Sequence, residues 1–225
     1  MRIIDNKTYV EYLRKHGVSV GKNVNFRYPE HTTIDLTRPS LIEFGDNIDI
    51  NDNFTLLTHD FGTFVLRSKY HDFVNSSGKV RIGNNVVIGR NVSILKGVEI
   101  GDNTIIALGS VVTKSTPQNS VVAGIPARVI CELDDYYKKR KQKQVGEAVE
   151  YAKSIKATHT PLIENFSEEW CLFLTRDEYL SNTIIRQKVD FRLKGYVDID
   201  EFLSREKPFN GFDSFIDYVN NQNTR

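Results

Sequence analysis

The chain has 225 residues, of which 26% are charged and 40% hydrophobic, the profile of a water-soluble globular protein, and its formal net charge of +1 gives no reason to invoke nucleic acid. No apolar run approaches the roughly 20 residues that span a bilayer, and the opening MRIIDNKTYVEYLRKHG lacks a signal peptide's apolar centre, so no membrane insertion and a cytoplasmic setting are expected. Cys131 and Cys171 are too few for a disulfide framework and match no metal spacing, which predicts two buried, reduced thiols and no metal site.

Residues 1–17 are predicted to form a short capping helix. Asn6 can cap it, Tyr9, Val10 and Leu13 share one face, and Gly17 stops it after His16. A six-residue frame then starts with VGKNVN at Val20, wanders through RYPEHTTIDLTRPSLI, and resumes with FGDNID at Phe44 and INDNFT at Ile50. From Ile82 the frame is unbroken: IGNNVV, IGRNVS, ILKGVE, IGDNTI, IALGSV, VTKSTP. Ile82, Ile88, Ile94, Ile100, Ile106 and Val112 open the hexads, and Val86, Val92, Val98, Thr104 and Ser110 hold the fifth position. The fourth is Asn85, Asn91, Gly97, Asn103 and Gly109, residue types that tolerate the positive φ of a tight corner.

A period of six suits neither a helix nor a long strand. It suits short extended segments that turn at each Asn or Gly and stack their aliphatic residues coil on coil, a parallel β-helix of hexapeptide repeats. The expected fold is mainly β: this solenoid over residues 18–131, with an inserted loop at about 60–80, the N-terminal helix, and a helical appendage over 132–225. The insertion LTHDFGTFVLRSKYHDFVNSSGKV is rich in aromatic and titratable side chains, a composition that favours function over disorder. Beyond QNSVVAGIPARVICEL the chain is expected to leave the solenoid at Gly124 and Pro126. A charged helix follows from about Asp134. The tail carries capping signals at Thr175 with Glu178, Asp198 with Glu201, and Asp213, and an aromatic core of Phe166, Trp170, Phe173, Phe202, Phe212, Phe215 and Tyr218.

Three stretches together resemble the hexapeptide-repeat acyltransferases, in the branch of maltose, galactoside and polysaccharide-type O- and N-acetyltransferases. They are LIEFGDNIDINDNFTLLTHD, the hexad block, and ALGSVVTKSTPQNSVVAGIPARVI. The resemblance implies a left-handed coil, against the usual hand of parallel crossovers. It also implies a homotrimer with active sites between neighbouring solenoids, acetyl-CoA as acyl donor, and a sugar or sugar nucleotide as acceptor, in the setting of surface-polysaccharide synthesis.

Within that resemblance His59 of Thr58-His59-Asp60 matches the catalytic histidine. A neutral imidazole takes a proton from a weak nucleophile near pH 7 and returns it to the departing thiolate. Asp60, one residue along an extended chain, faces the opposite side and is assigned to the acceptor. Asp35, Tyr70 and His71 are further candidates for the acceptor pocket, with structural or loop-surface roles as their alternative. Ala107, Leu108, Gly109 and Ser110 would lie along the pantetheine arm, and Arg90, Thr113, Lys114 and Arg128 fall on coenzyme-contact positions where cations meet phosphate. Leu108 stands where the family usually has Ala, and Val87 where an aromatic is frequent. A non-catalytic coenzyme- or partner-binding scaffold is the alternative. A zinc-dependent carbonic anhydrase-like enzyme is a remoter one, since the hexads from Ile82 to Pro117 contain no histidine.

Overall fold

A computed structural model describes residues 5–166, 168–193 and 195–222. They divide into two compact units, one reaching Tyr137 and the other starting at Lys138.

The first unit begins with α1 (Asn6–Lys15). Its cap is Asp5 and not Asn6: the Asp5 Oδ1 accepts from the Thr8 N–H at 2.9 Å. Asn6 is inside the helix, where its amide donates to the Val24 carbonyl at 3.0 Å and accepts from the Phe26 N–H at 2.7 Å. Tyr9, Val10 and Leu13 are buried, and the Tyr9 ring meets Phe26 edge-on at 5.0 Å. The apolar stripe of α1 thus covers the first strands.

From there the chain visits three sheets in rotation. β1 (Ser19–Val20), β2 (Val24–Phe26) and β3 (Thr33–Ile34) each open one sheet, and β4 (Ile42–Phe44), β5 (Ile48–Ile50) and β6 (Thr55–Leu56) pair with them in the same order. β7 (Val80–Ile82), β8 (Val86–Ile88) and β9 (Ser93–Ile94) add a third circuit, and β10 (Glu99–Ile100), β11 (Thr104–Ile106) and β12 (Val111–Val112) a fourth. We name the sheets A (from β1), B (from β2) and C (from β3). All these pairings are parallel. Arg81 pairs with Glu99 across 18 positions, so a regular circuit uses three hexads. The circuit before it takes 38 positions and the first takes 24, and the surplus leaves at corners without disturbing the register.

The hexad pattern explains why these segments are strands. Every hexad-opening aliphatic from Ile82 to Val112 is buried, as are Val86, Val92, Val98, Thr104 and Ser110. Each aliphatic side chain removed from water contributes about 1.5–3 kcal/mol. Asn23, Asn47, Asn53, Asn85, Asn91, Asn103 and Asn119 all sit at φ between 53 and 57°, the left-handed region that Asn tolerates. Their amides also bond from coil to coil: Asn23 to Asn47 at 2.9 Å, Asn53 to Asn91 at 2.9 Å, Asn85 to Asn103 at 2.8 Å and Asn103 to Asn119 at 2.9 Å. Glycine after the opening aliphatic has a different cause: a Cβ on Gly45 would lie 2.7 Å from the Gly83 carbonyl oxygen of the next coil.

Two irregularities correct the sequence expectation. The segment between β6 and β7 is not simply a loop, since it contains α2 (Thr63–Tyr70). It closes on itself, with the Gly78 N–H donating to the Thr58 carbonyl at 2.9 Å and a bridge between His59 and Ser77. At the far end, β13 (Ser120–Gly124) pairs in parallel with β11, but the chain does not leave at Gly124 and Pro126. It reverses there, and β14 (Ala127–Glu132) pairs antiparallel with β13.

α3 (Leu133–Lys156) carries the chain onward. The second unit contains α4 (Arg176–Ser181), α5 (Thr183–Leu193), α6 (Ile199–Ser204) and α7 (Phe212–Asn221). Thr175 and Glu178 form a reciprocal capping box on α4, and Asp198 accepts from the Glu201 N–H on α6. Asp213 caps nothing: α7 already starts at Phe212, whose N–H donates to Glu178 Oε1 at 2.6 Å. Phe166, Trp170, Phe173, Phe202 and Phe215 are buried, and the Phe166 centroid lies 5.4 Å from those of Phe212 and Phe215. Tyr218 is 40% exposed and forms the rim of that core. Cys131 and Cys171 are unpaired and half-buried. Among the described residues no helix is long and apolar enough to cross a membrane.

The corner geometry sets a stability test. Asn91→Val places a β-branched residue at φ 56° and removes the bond from Asn53, at a cost of about 1–3 kcal/mol in urea denaturation. Asn91→Gly keeps the conformation and should cost about 1 kcal/mol, and the exposed Glu99→Gln no more than about 0.5 kcal/mol. Equal losses at Asn91 and Glu99 would contradict this assignment of the corners.

Candidate active site

The corners between sheet C and sheet A carry a stacked polar cluster. The first circuit supplies Asp35 and Thr37, the second Thr58, His59 and Asp60, and the third Lys96. Backbone bonds hold the layers in register: the Asp35 N–H donates to the Leu56 carbonyl and the Leu57 N–H to the Ile94 carbonyl, each at 3.0 Å.

Asp35 is the centre of the cluster. Its Oδ1 accepts from the Thr37 N–H at 3.0 Å and the Thr37 hydroxyl at 2.7 Å. Its Oδ2 accepts from the Thr58 N–H at 3.0 Å, the Thr58 hydroxyl at 2.5 Å and His59 Nδ1 at 2.6 Å. Burial by itself would push the Asp35 carboxyl upward, but the bonds from Thr58, Thr37 and His59 together hold it well below the usual carboxylate range. An ionised carboxylate accepts and cannot donate, so the proton between the two side chains belongs to Nδ1. The neutral ring therefore carries its lone pair on Nε2, which makes no hydrogen bond among the described residues. With the His59 side chain 16% exposed and Asp35 5%, the imidazole is held from behind and open in front.

Both carboxylate oxygens of Asp35 are thus turned inward onto Thr37, Thr58 and His59. The sequence contains the signal for that pairing: Asp35 precedes His59 by 24 residues, the same interval that separates the hexads opening at Val20 and Phe44, so the two side chains fall on one corner of successive coils. Lys96, also missed, ion-pairs with Asp60 at 2.9 Å. Asp60 makes no bond to His59, in keeping with the alternation of an extended chain. Its carboxyl is lowered to about 2 by Lys96, with further bonds from the Gly62 N–H and the Ser76 side chain.

Beyond Asp60 the exposed Phe61 ring stands edge-on to the imidazole, with centroids 4.9 Å apart. Tyr70 and His71 are not brought to His59. Tyr70 ends α2 with its exposed ring beside the Lys69 ammonium at 5.3 Å, and His71 takes φ 55° as the left-handed cap of the same helix, its N–H on the Arg67 carbonyl.

The coenzyme candidates lie along β11, β12 and the β13–β14 reversal. The Ser110 hydroxyl is buried, donates to the Ala107 carbonyl at 2.7 Å and accepts from the Gly124 N–H at 3.3 Å, so both of its bonds lie within the wall. Ala107 gives its N–H to the Val122 carbonyl. Gly109 turns the corner at φ 71°, and Leu108 beside it is 75% exposed, an apolar side chain facing outward. Thr113, Lys114 and Arg128 are exposed, and the Arg128 guanidinium bonds the Ala127 carbonyl at 2.8 Å. Arg90 is committed elsewhere, at 2.5 Å from Asp52, which also accepts from His31.

Comparison with known proteins agrees with this architecture. Residues 79–114 match the family described as bacterial transferase hexapeptide (six repeats). The chain is 34% identical to Protein CapG of Staphylococcus aureus over 69% of its own length and 86% of that protein's. It is 38% identical to the galactoside O-acetyltransferase of Escherichia coli K12, over 52% of this chain and 58% of the relative. To the putative lipopolysaccharide biosynthesis O-acetyl transferase WbbJ of the same organism it is 30% identical, over 53% of this chain and 74% of the relative. With three sheets visited in rotation by hexads, and relatives that match along most of their own length, the chain belongs to the hexapeptide-repeat family of bacterial acetyltransferases.

Proposed function

We propose that the protein transfers the acetyl group of acetyl-CoA to a hydroxyl or amine of a sugar or sugar nucleotide, with His59 as general base. The observation that carries this reading is the His59–Asp35 pair, in which a buried carboxylate fixes Nδ1–H and leaves Nε2 free to accept. In this reading the rotating sheets are the faces of a left-handed parallel β-helix, the active unit is a trimer, and the acceptor belongs to surface-polysaccharide synthesis, a reading supported by the lipopolysaccharide biosynthesis named for one relative.

The chemistry follows from the geometry. As the acceptor oxygen attacks the thioester carbonyl carbon, Nε2 takes its proton and the ring becomes an imidazolium. Asp35, ionised across the range in which imidazole titrates, stabilises that cation at 2.6 Å. The carbon–sulfur bond then breaks, and Nε2 returns the proton to the leaving thiolate, giving the acetyl ester and free coenzyme thiol. An amine acceptor gives the amide by the same route. Lys114 and Arg128 are the cations proposed for the phosphates of the coenzyme, with Thr113 beside them and Arg90, exposed and ion-paired with Asp52, as a further candidate.

Three tests follow. His59→Ala should lower turnover by about 10²- to 10⁴-fold with little change in coenzyme affinity, and Asp35→Asn should lower it on the order of 10²-fold by freeing the ring and its tautomer; full turnover by His59→Ala at saturating donor and acceptor would end the assignment. Arg128→Ala should do the reverse, raising the KM for acetyl-CoA more than it lowers kcat. Light scattering should give three times the chain mass, and a chain ending near Lys138 should keep that mass; a clean monomer in either case contradicts the trimer.

A further inference from the structure

Arg38 follows Thr37 directly, and the Thr37 hydroxyl lies 3.2 Å from His59 Nδ1. The Arg38 side chain reaches the return arm of the insertion, where it donates to Asn75 Oδ1 at 3.2 Å. One residue further, Ser76 accepts from the Asp60 N–H, and Ser77 bridges His59. Arg38 and Asn75 are thus bonded to each other next to residues that contact His59 or Asp60, and the exposed Phe61 ring stands edge-on to the imidazole with centroids 4.9 Å apart.

The charges around this mouth are unevenly paired. Asp35 is committed to Thr37, Thr58 and His59, and Asp60 to Lys96. Nearby Lys79 and Arg81 are paired with Glu43, and Arg81 also with Glu99. Arg38 is half-buried and, among the described residues, has only the neutral Asn75 amide as a partner. A guanidinium removed in part from water without a counter-charge is costly, and its fork of donors matches a planar carboxylate or a phosphate. Phe61 offers the complementary element, an apolar ring face exposed to solvent beside the base.

From this juxtaposition we infer that the acceptor is an acidic sugar, whose anionic group is bound by Arg38 and whose ring lies on Phe61 while its reacting hydroxyl or amine meets His59 Nε2. The inference rests on the acetyl-transfer reading of the same site. Arg38 is a specificity-determining residue and takes no part in moving the proton. A sugar carboxylate and a sugar phosphate share the required chemistry.

The full chain is titrated by calorimetry, in the presence of coenzyme A, with glucuronic acid, glucose 1-phosphate and glucose. At least one anionic sugar should bind more than tenfold better than glucose, and which one does so distinguishes carboxylate from phosphate. Arg38→Ala should remove that preference, a loss of roughly 10- to 100-fold for a charged hydrogen-bonded contact, and Arg38→Lys should restore part of it. Asn75→Ala breaks the same internal hydrogen bond but leaves the cation, and should keep the preference. Equal binding of all three sugars to the wild type, or an equal loss in Asn75→Ala and Arg38→Ala, would overturn the inference, the latter because Arg38 would then be only a clasp on the insertion. His59→Ala separates the two levels: it should bind the anionic sugar as the wild type does while losing turnover. Retained turnover there defeats the base and leaves the Arg38 result standing.

Discussion

Each circuit of the three sheets must turn corners so tight that one residue adopts a left-handed backbone, and everything else in the first unit depends on meeting that demand at regular intervals. Asparagine meets it at a modest conformational cost and then contributes a second time, because its amide is positioned to bond the asparagine of the next coil. The corner is thereby both a bend and a vertical tie. The hexad-opening aliphatics stack behind it, all buried, and close approach of adjacent backbones at Gly45 excludes a side chain there.

The candidate site is a by-product of the same register. Residues far apart in sequence arrive on one corner because successive circuits superimpose, so Asp35 lies beside His59, and Asp60 beside Lys96. A carboxylate so placed is fed by backbone and hydroxyl donors before it reaches the ring, which is why it stays charged despite burial. The wall supplies rigidity where the chemistry needs it. The insertion supplies Phe61 beside the imidazole and Asn75 beside Arg38.

Much of this was legible in the sequence. Periodicity located the strands, their buried positions and the left-handed residues, and the T-H-D segment pointed to His59. What periodicity could not convey was pairing. The Asn ladder and the turn-back of β14 depend on side chains and backbone that meet only when coils superimpose. Ser110 read as a small residue along the coenzyme arm, and that its hydroxyl closes an internal carbonyl was not visible in the spacing. Asp35 was recognised as polar and near the site, but its role required counting the interval of one irregular circuit. The insertion has no repeat to constrain it, so its helix and the outward placement of Tyr70 and His71 were beyond any argument from spacing.

The closure of the insertion on itself has a consequence for how such a protein can diversify. Because the excursion leaves near Thr58 and rejoins at Gly78, with a backbone bond between the two ends, the coils on either side feel only a fixed pair of endpoints. Exchange of residues 61–75, which lie inside those ties, is expected to leave the stack unperturbed while the groups beside the imidazole, such as Phe61, change. Side chains beside the imidazole can therefore vary through one short stretch of chain that lies outside the hexads carrying the fold.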